Sequence, residues 1–483
     1  MRYDACVIGA GADGLTAAIL LARAGLSVAV VEKSDAPGGR LALREFHRGF
    51  RVAPFVDGLP PMPAEIFHTL GLARAGIFLA PQAGSFALWP DGRRHAIYRH
   101  RASPGQRLFA DAARAVETMR LRAAGDSEPS ARKPLLGRAP KPAPWPGEAR
   151  FDAALADYAA IAEPGAAAHV LARALEGRAA DPFARGSALH LQAPGGDSLI
   201  VPGLAEALAA AASEAGATIL LGAEAVEIRR AKDRVVGVAL ADGGELEARA
   251  VLSTLDLKRS FLSLFQWDAL PKPLSHRVGV YRMAGATARL LIALDKPPAL
   301  DAEQLRAPLY VAPDARAMAG AAAAWRAGIV PENPPLALRV VSAVAPSLAP
   351  PGQAVMTATL SGIPGRLFDG AWTHEKRDRL RDAALDAIER ILPGTRDTVL
   401  AAELAVPPDI EETLGATGGD LLGGEIASDQ MFALRPGFDT ASPRSPIDGF
   451  YLAGGSTPSG VLGACVSGVI AARAMIADLR TRK

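Results

Sequence analysis

The chain has 483 residues, of which 49% are apolar and 22% are charged, and its formal net charge at pH 7 is +2. This length predicts about two to three domains, and the composition is that of a globular protein with enough apolar residues for a core. The near-neutral charge gives no reason to expect nucleic-acid binding, and the two cysteines and eight histidines have no zinc-type spacing, so no metal site is predicted.

The first predicted element is a strand over residues 5–8, and a G-x-G-x-x-G turn follows it directly. In such a turn Gly9 makes the tight bend, Gly11 lets a pyrophosphate approach the backbone, and Gly14 lets the next helix pack against the strand. That helix is predicted over residues 15–24, with its N-terminus and positive dipole end directed at the phosphates. The pattern predicts a dinucleotide site, the alternative being an ordinary glycine turn.

A second predicted strand, over residues 27–31, ends at Glu32, about twenty residues after the glycine turn. An acidic side chain at this distance binds a ribose hydroxyl of the dinucleotide. Asp13 within the turn and Lys33 beside the acid are further candidates for cofactor contacts.

A second glycine segment follows closely, at Gly38, Gly39 and Arg40. Paired glycines let another stretch of backbone approach a phosphate, and an arginine can neutralise that phosphate. A simple nicotinamide site does not need this element, whereas it recurs in FAD proteins that are similar to glutathione reductase and the amine oxidases. The segment favours FAD over NAD, the alternative being a glycine turn with a solvated arginine.

The rest of the chain alternates strands and helices. A helix predicted over residues 204–215 is followed by four short strands, and near the C-terminus a strand over residues 450–453 stops at Gly454 and Gly455. Between these regions, strand-like runs and an amphipathic helix over residues 375–392 predict a second domain, inserted into the first, that covers the substrate.

The chain shows no signal peptide and no apolar stretch long enough to span a membrane, so a cytoplasmic location is expected. Cys6 and Cys465 are expected to be buried structural thiols, which fits a reducing compartment. Residues 123–150 are proline-rich and basic and predict an exposed or partly disordered loop. The alternative for this loop is peripheral contact with a membrane surface.

Several segments, in this order along the chain, resemble the phytoene desaturase-like FAD oxidoreductases. Within that group the chain is most similar to the pyridine nucleotide-disulfide oxidoreductase domain-containing proteins, and the resemblance spans most of the chain apart from about residues 100–190. The segments are the first glycine turn with Glu32, the PGGR segment, the block LIVPGLAEALAAAASEAGATILLGAEAVEI, VLSTLDLKRSF, GGEIASDQMFALRPG, and the terminal PIDGFYLAGGSTPSGVLGACVSGVIAARAM.

The resemblance implies an α/β fold, in which a Rossmann-like FAD-binding domain of the glutathione reductase or amine oxidase type carries an inserted α+β substrate domain. The expected FAD-binding domain is discontinuous and comprises residues 1–75, 195–260 and 441–483. The expected substrate domain comprises residues 76–194 and 261–440.

The resemblance also implies roles for individual residues around a non-covalent FAD. The first glycine turn, with Gly9, Gly11 and Gly14, would hold the pyrophosphate, Glu32 the adenosine ribose, and Gly39 with Arg40 the second phosphate side. Further roles would fall to Val226 (the adenine edge, through its backbone), Gly454 and Gly455 (the ribityl and phosphate region), and Gly460, Val461 and Leu462 (a helix N-terminus at the flavin pyrimidine edge). Plain helix-start packing is the alternative for Val461 and Leu462.

The expected function is removal of hydride from an apolar or amphipathic substrate, such as a polyene or a lipid, with oxygen or a quinone as electron acceptor. The alternatives are an amine oxidase-like flavoenzyme and a non-redox carrier that resembles the GDP-dissociation inhibitors. The predicted covering domain shows no cluster of acids or bases, which favours an apolar cavity. Candidate lining residues, with core packing as their alternative, are Phe55, Val56, Trp372 and Phe432.

No catalytic residue is assigned, because a flavin carries the redox chemistry and the protein mainly positions the substrate. His374, Glu425 and Asp429 are the polar candidates in the second domain, each with a surface or structural role as the alternative. The sequence leaves the oligomeric state open.

Overall fold

The computed structural model describes residues 2–59, 62–79, 84–98, 182–183, 198–199, 202–266, 269–311, 314–427, 430, 435–436, 442–458, 460 and 463–481. The proline-rich loop predicted at 123–150 lies outside these residues. Within them, no helix is both long enough and apolar enough to cross a membrane.

The described strands, in chain order, are β1 (Arg2–Ile8), β2 (Val28–Val31), β3 (Arg44–His47), β4 (Phe50–Val52), β5 (Gly58–Leu59), β6 (Gly84–Leu88), β7 (Arg94–Tyr98), β8 (Ser198–Leu199), β9 (Thr218–Leu220), β10 (Ala225–Ala231), β11 (Arg234–Leu240), β12 (Glu245–Ser253), β13 (Thr287–Leu294), β14 (Leu309–Val311), β15 (Leu336–Val340), β16 (Ala354–Ser361), β17 (Val399–Ala405) and β18 (Phe450–Leu452). The described α-helices are α1 (Ala12–Arg23), α2 (Ala64–Leu70), α3 (Leu204–Glu214), α4 (Lys272–Val280), α5 (Ala302–Arg306), α6 (Ala315–Arg326), α7 (His374–Ile391), α8 (Pro407–Leu414) and α9 (Val466–Thr481).

The first sheet has the strand order β10-β11-β12-β1-β2-β9, and β18 pairs with β12. β1 pairs in parallel with β2 and β12, and β12 also pairs in parallel with β18. Strands buried on both faces of a parallel sheet need continuous apolar runs, and the VAVV of β2 is buried at every position. Residues of α1, α3 and α9 form the core on one face of this sheet, and residues of α4 contribute to the core on the other face.

The second sheet has the strand order β17-β13-β16-β15-β14-β6-β7 and is antiparallel except for the β14–β6 pair. One face packs on α7, whose Leu380, Ala384 and Ile388 share a hydrophobic core with Leu290 of β13 and Met356 of β16. Because side chains alternate between the two faces of a strand, residues such as Arg289 and Thr357 point to the opposite face. That opposite face is turned toward a cavity between the two sheets.

Most predicted elements lie within a few residues of their expected positions, and one helix start differs. The helix expected to start near residue 461 begins at Val466. Cys465 just before it has φ of 65°, a left-handed conformation that an α-helix does not accommodate. The chain therefore bends at Cys465 before the helix starts.

Candidate functional site

A cavity of about 630 Å³ lies between the two sheets. Four parallel strands of the first sheet, β1, β2, β12 and β18, end at it, with residues such as Gly9, Glu32, Thr254 and Gly454 in its lining. Ligands of open α/β sheets bind at the carboxyl ends of the strands, where the crossovers to the helices begin. The position of the cavity follows from the topology of the first sheet.

Two glycines of the first turn have different surroundings, since Gly14 packs against protein atoms and Gly11 faces open space. A Cβ atom placed on Gly14 would lie 2.0 Å from the Gly9 carbonyl oxygen, so α1 can approach β1 only with a glycine there. A Cβ atom on Gly11 would meet no described atom within 4 Å beyond the neighbouring residues, and Gly11 lines the cavity. Its backbone has φ of −75°, which any residue can adopt. The space beside Gly11 therefore fits a ligand group, such as the pyrophosphate of FAD.

Glu32 is held in a fixed orientation at the edge of this space. The residue is 8% exposed, and its carboxylate accepts hydrogen bonds from the N–H groups of Ala10 (2.8 Å, to Oε2) and Ser34 (3.0 Å, to Oε1). A carboxylate can accept about four hydrogen bonds, so acceptor positions are left for a ribose. The neighbouring Lys33 also lines the cavity, but its ammonium group donates to the Glu412 carbonyl at 3.0 Å.

The two glycine segments lie against each other. The Gly38 N–H donates to the Ala10 carbonyl at 2.8 Å, and a Cβ atom on Gly39 would lie 3.4 Å from the Gly11 Cα atom. Arg40 follows at the cavity wall and donates to the Leu421 carbonyl. Two stretches of backbone can thus approach one phosphate group, with a cation beside them.

Asp13 joins the first turns of two helices that meet at the cavity. It lies in α1, and its Oδ1 accepts a hydrogen bond from the Gly468 N–H of α9 at 3.0 Å. Burial raises the pKa of this carboxyl above its ordinary value. Asp13 lines the cavity, and its hydrogen bond to Gly468 fixes the relative position of the two helix N-termini.

The C-terminal glycine segment folds back on itself. A Cβ atom on Gly460 would lie 1.8 Å from the Gly454 carbonyl oxygen, and the Gly454 N–H donates to the Ser467 hydroxyl at 2.8 Å. Gly454, Gly455 and Gly460 all line the cavity. Val461 and Leu462 lie outside the described residues.

Two residues near this segment were missed by the sequence analysis. Arg435 is fully buried and donates to the backbone carbonyls of Leu422 and Gly455, which joins two loops at the cavity. Asp420 lines the cavity and accepts a hydrogen bond from the Leu422 N–H at 2.7 Å. Burial raises the pKa of Asp420 to about 6. Both residues lie in loops without periodicity, so only the likeness of GGEIASDQMFALRPG to a family segment indicated this region.

Several predicted residues lie elsewhere. Val226 is 44% exposed and is not in the cavity lining, but its neighbours Glu224 and Ala225 are, so its contact with the adenine edge through the backbone stays a prediction. Trp372 is not in the cavity lining; it packs on the α7 side of the second sheet and donates from its indole to the Pro364 carbonyl at 3.0 Å. Phe432 lies outside the described residues.

The polar candidates of the second domain do not meet at the cavity either. His374 is the first residue of α7, on the far side of the second sheet. Glu425 forms a half-exposed ion pair with Arg282. Asp429 lies outside the described part of the chain.

Phe55 and Val56 line the cavity, and the residue after them introduces charge. Asp57 accepts hydrogen bonds from both terminal nitrogens of Arg289 in β13, at 2.7 Å from Nη1 to Oδ2, and from the Thr357 hydroxyl at 2.7 Å. Arg339 of β15 lines the cavity nearby. The expectation that the covering domain has no charged cluster is therefore wrong. The sequence does carry a signal for this cluster. In the TAR of β13 and the TAT of β16 the polar residues alternate with apolar ones, and the LALRV of β15 has one arginine among apolar residues, so each strand places its polar side chains on one face.

Comparison with known proteins gives a family match over nearly the whole chain. Residues 14–476 match the family described as flavin containing amine oxidoreductase. The chain is 29% identical to phytoene dehydrogenase of Streptomyces griseus, and the match covers 83% of this chain and 82% of that protein.

A second relative and a solved structure extend this result. Pyridine nucleotide-disulfide oxidoreductase domain-containing protein 2 of Mus musculus is 29% identical over 57% of this chain, and this chain matches only about half of that protein's length. These sequence matches confirm the resemblance seen in the motifs.

A solved structure has a similar fold. Cyclohexylamine oxidase from Brevibacterium oxydans IH-35A is 16% identical with a TM-score of 0.58, over 99% of both chains. At that identity the likeness concerns the fold, and it confirms the expected fold class.

Proposed function

We propose that the chain oxidises a C–H bond of an apolar or amphipathic substrate. The chain belongs to the family of flavin containing amine oxidoreductases, whose cofactor is FAD. The observation that carries this proposal is one continuous cavity, lined by the glycine segments at one side and by the second sheet at the other. A flavin supplies the hydride-accepting chemistry when it is bound. The chain's own residues hold the cofactor, orient the substrate and exclude water.

FAD would be held by residues on the side of the cavity that the glycine segments line. Gly11 and the N-terminus of α1 would contact the pyrophosphate, Glu32 a ribose, and Arg40 a phosphate oxygen. The loop that carries Gly454 and Gly460 would lie along the remainder of the cofactor. We further propose that the FAD-binding domain comprises residues 1–75, 195–260 and 441–483, since all strands of the first sheet fall in these ranges.

The substrate would occupy the part of the cavity next to the second sheet. Apolar lining residues there are Phe55 and Val56, and the match to a phytoene dehydrogenase over 82% of its length favours a substrate with an extended apolar part. Oxygen or a quinone would accept the electrons. Contact of the basic segment 123–150 with a membrane surface would give such a substrate direct access.

An amine substrate is the second candidate, because the fold is shared with amine oxidases. The charge on the substrate side of the cavity argues against it. Arg289 and Arg339 bring two positive charges to the substrate side and Asp57 neutralises one of them, so a protonated amine would be repelled. Carriage without turnover is disfavoured by the intact glycine segments at Gly11 and Gly39.

The proposal is tested by anaerobic reduction of the flavin. The purified protein should be yellow, and its flavin absorbance should bleach when lipids or polyenes are added without oxygen. Bleaching by small amines alone would contradict the proposal. If the protein is yellow but no lipid, polyene or amine bleaches its flavin, carriage of a ligand without turnover would be favoured instead.

A further inference from the structure

The cavity-facing side of the second sheet carries polar groups on three adjacent strands. Cross-strand pairing places Arg289 beside Thr359 and Arg339 beside Thr357, all on one face. Thr287 lies two positions before Arg289 on the same face. Arg289, Arg339, Thr287 and Thr359 all line the cavity.

The charges on this face do not balance. Burial opposes ionisation of Asp57, but the charges of Arg289 and Arg339 and the hydrogen bonds from Arg289 outweigh it and hold the pKa of this carboxyl below its ordinary value. Asp57 is therefore ionised and neutralises Arg289, with which it forms a buried two-point ion pair. The neighbouring Arg44 is paired with Glu403 of β17, so among the described residues of this face one positive charge, that of Arg339, has no paired carboxylate.

Arg339 differs from Arg289 in having no hydrogen bond or ion pair with a described residue, although the charge of Asp57 is near enough to act on it. Arg289 donates to the Pro54 carbonyl at 3.1 Å, to Asp57 and to the Thr359 hydroxyl. Arg339 is 9% exposed, and among the described residues nothing accepts a hydrogen bond from it and no carboxylate lies within ion-pair distance. No nitrogen of Arg339 is among the fully buried unpaired atoms of the described residues, so the guanidinium is accessible from the cavity. It thus stands in the cavity wall with its donors available to a ligand.

A second polar group on the same face is also unsatisfied. Thr287 is 2% exposed, and within the described part of the chain its buried hydroxyl has no hydrogen-bond partner. Buried hydroxyls of folded proteins nearly always have a partner in the protein or in a bound molecule. The Thr287 oxygen has almost no surface exposed to the cavity, so it lies behind the wall and a ligand cannot reach it directly. The group that faces a ligand is the guanidinium of Arg339, and a cation with no hydrogen-bonded partner among the described residues indicates a ligand with acceptor atoms.

We propose that the wall formed by Arg339 and Arg289 binds the carboxylate group of an amphipathic substrate, with Arg339 as its direct partner. This inference rests on the proposed function, because it names the head group of the molecule whose apolar part would lie along Phe55 and Val56. A surplus of one charge matches a monoanion, and a guanidinium binds a carboxylate through two parallel hydrogen bonds. The same wall would select against alcohols and amines of the same length.

The first experiment uses the FAD-loaded protein and measures binding without turnover. Decanoate, decanol and decylamine are titrated into the oxidised protein by calorimetry at one pH. We expect decanoate to bind at least about tenfold more tightly than decanol, since hydrogen bonds to charged groups discriminate by that much or more. We expect decylamine to bind more weakly than decanol. Equal affinities for decanoate and decanol would overturn the proposal, whatever the variants do.

The second experiment tests the residue. Arg339→Gln and Arg339→Met should lower decanoate affinity about tenfold or more and leave decanol affinity unchanged, and Arg339→Lys should keep part of the decanoate preference. Arg94→Gln is the matched control, because Arg94 lies at the edge of the same sheet and donates to Gln304 outside the cavity lining. FAD content and thermal stability are measured for every variant. A variant that loses decanoate and decanol equally, or that changes the flavin spectrum without ligand, would show that Arg339 contacts the cofactor or supports the fold instead.

The outcomes separate this inference from the function on which it rests. Decanoate selectivity that depends on Arg339, together with no anaerobic bleaching by any compound, would support the carboxylate site and contradict the oxidation. Bleaching by apolar compounds, together with no preference for decanoate, would support the oxidation and overturn the carboxylate site.

Discussion

Arg289 and Asp57 form a buried ion pair that joins the segment after β4 to the central part of the second sheet, across 232 positions of the chain. The side chain of Arg289 is 3% exposed and that of Asp57 is 11% exposed. Both residues line the cavity, so the pair determines the shape of the substrate side and connects it to the segment that carries Phe55.

Breaking this pair should destabilise the protein strongly. Asp57→Asn leaves Arg289 with an uncompensated charge in the interior, and we expect a loss of about 3–5 kcal/mol in the free energy of unfolding. Urea unfolding with saturating FAD measures this loss. The control is Glu375→Gln, which removes a pair with Arg379 that is more than 70% exposed on both sides and should leave the midpoint unchanged. If Asp57→Asn and Glu375→Gln lowered the free energy of unfolding by similar amounts, burial would not control how much these ion pairs contribute to stability.

Replacing Gly14 and replacing Gly11 in the first turn should impair the protein in different ways. Gly14→Ala puts a methyl group against the Gly9 carbonyl and should lower the unfolding free energy of the FAD-free protein by about 1–3 kcal/mol. Gly11→Ala meets no described atom and should leave that stability nearly unchanged, while FAD affinity falls about tenfold or more. Gly320→Ala in α6, where a methyl group also meets open space, is the control for both measurements. FAD affinity that is unaffected by Gly11→Ala would place the pyrophosphate elsewhere.

Glu32 should matter more than Arg40 for retention of FAD. Removing a buried carboxylate acceptor with Glu32→Ala leaves polar groups unpaired and should cost about 1–3 kcal/mol of binding free energy. The guanidinium of Arg40 is at an exposed position, where solvent and salt screen its contact with a phosphate. Equilibrium dialysis of FAD against both variants gives the order. The ordering is wrong if Arg40→Ala empties the site and Glu32→Ala does not.

The local motifs predicted the N-terminal part of the cofactor side because its residues, from Gly9 to Arg40, follow one another within one strand-helix-strand unit and the turn after it. The turn at Gly9, the acid Glu32 and the second glycine segment are read from spacing alone. The substrate side could not be predicted in this way. The cluster of Asp57, Arg289 and Arg339 forms only when strands far apart in the chain pair in one register.

Asp420 should make stability depend on pH in the weakly acidic range. Burial raises the pKa of this carboxyl from 3.8 to about 6 in the folded protein. A raised folded-state pKa gives stability that is fully present below the unfolded pKa and is lost as pH rises through the folded pKa. The loss corresponds to about 3 kcal/mol between about pH 4 and pH 7. Asp420→Asn keeps a neutral side chain at every pH, so its stability relative to the unchanged FAD-free protein should increase over this range. A constant difference across the range would mean that Asp420 is not the titrating group.

We expect the chain to bind its flavin non-covalently, even though a cysteine lies at the cavity. Cys465 is 1% exposed and lines the cavity just before α9. Burial raises the pKa of its thiol to about 12, so the thiolate needed for attack on a flavin is not formed near neutral pH. Acid precipitation should release all of the yellow colour into the supernatant, for the unchanged protein and for Cys465→Ser alike. Colour that stays in the pellet with Cys465 and leaves it with the serine variant would identify Cys465 as a covalent attachment site.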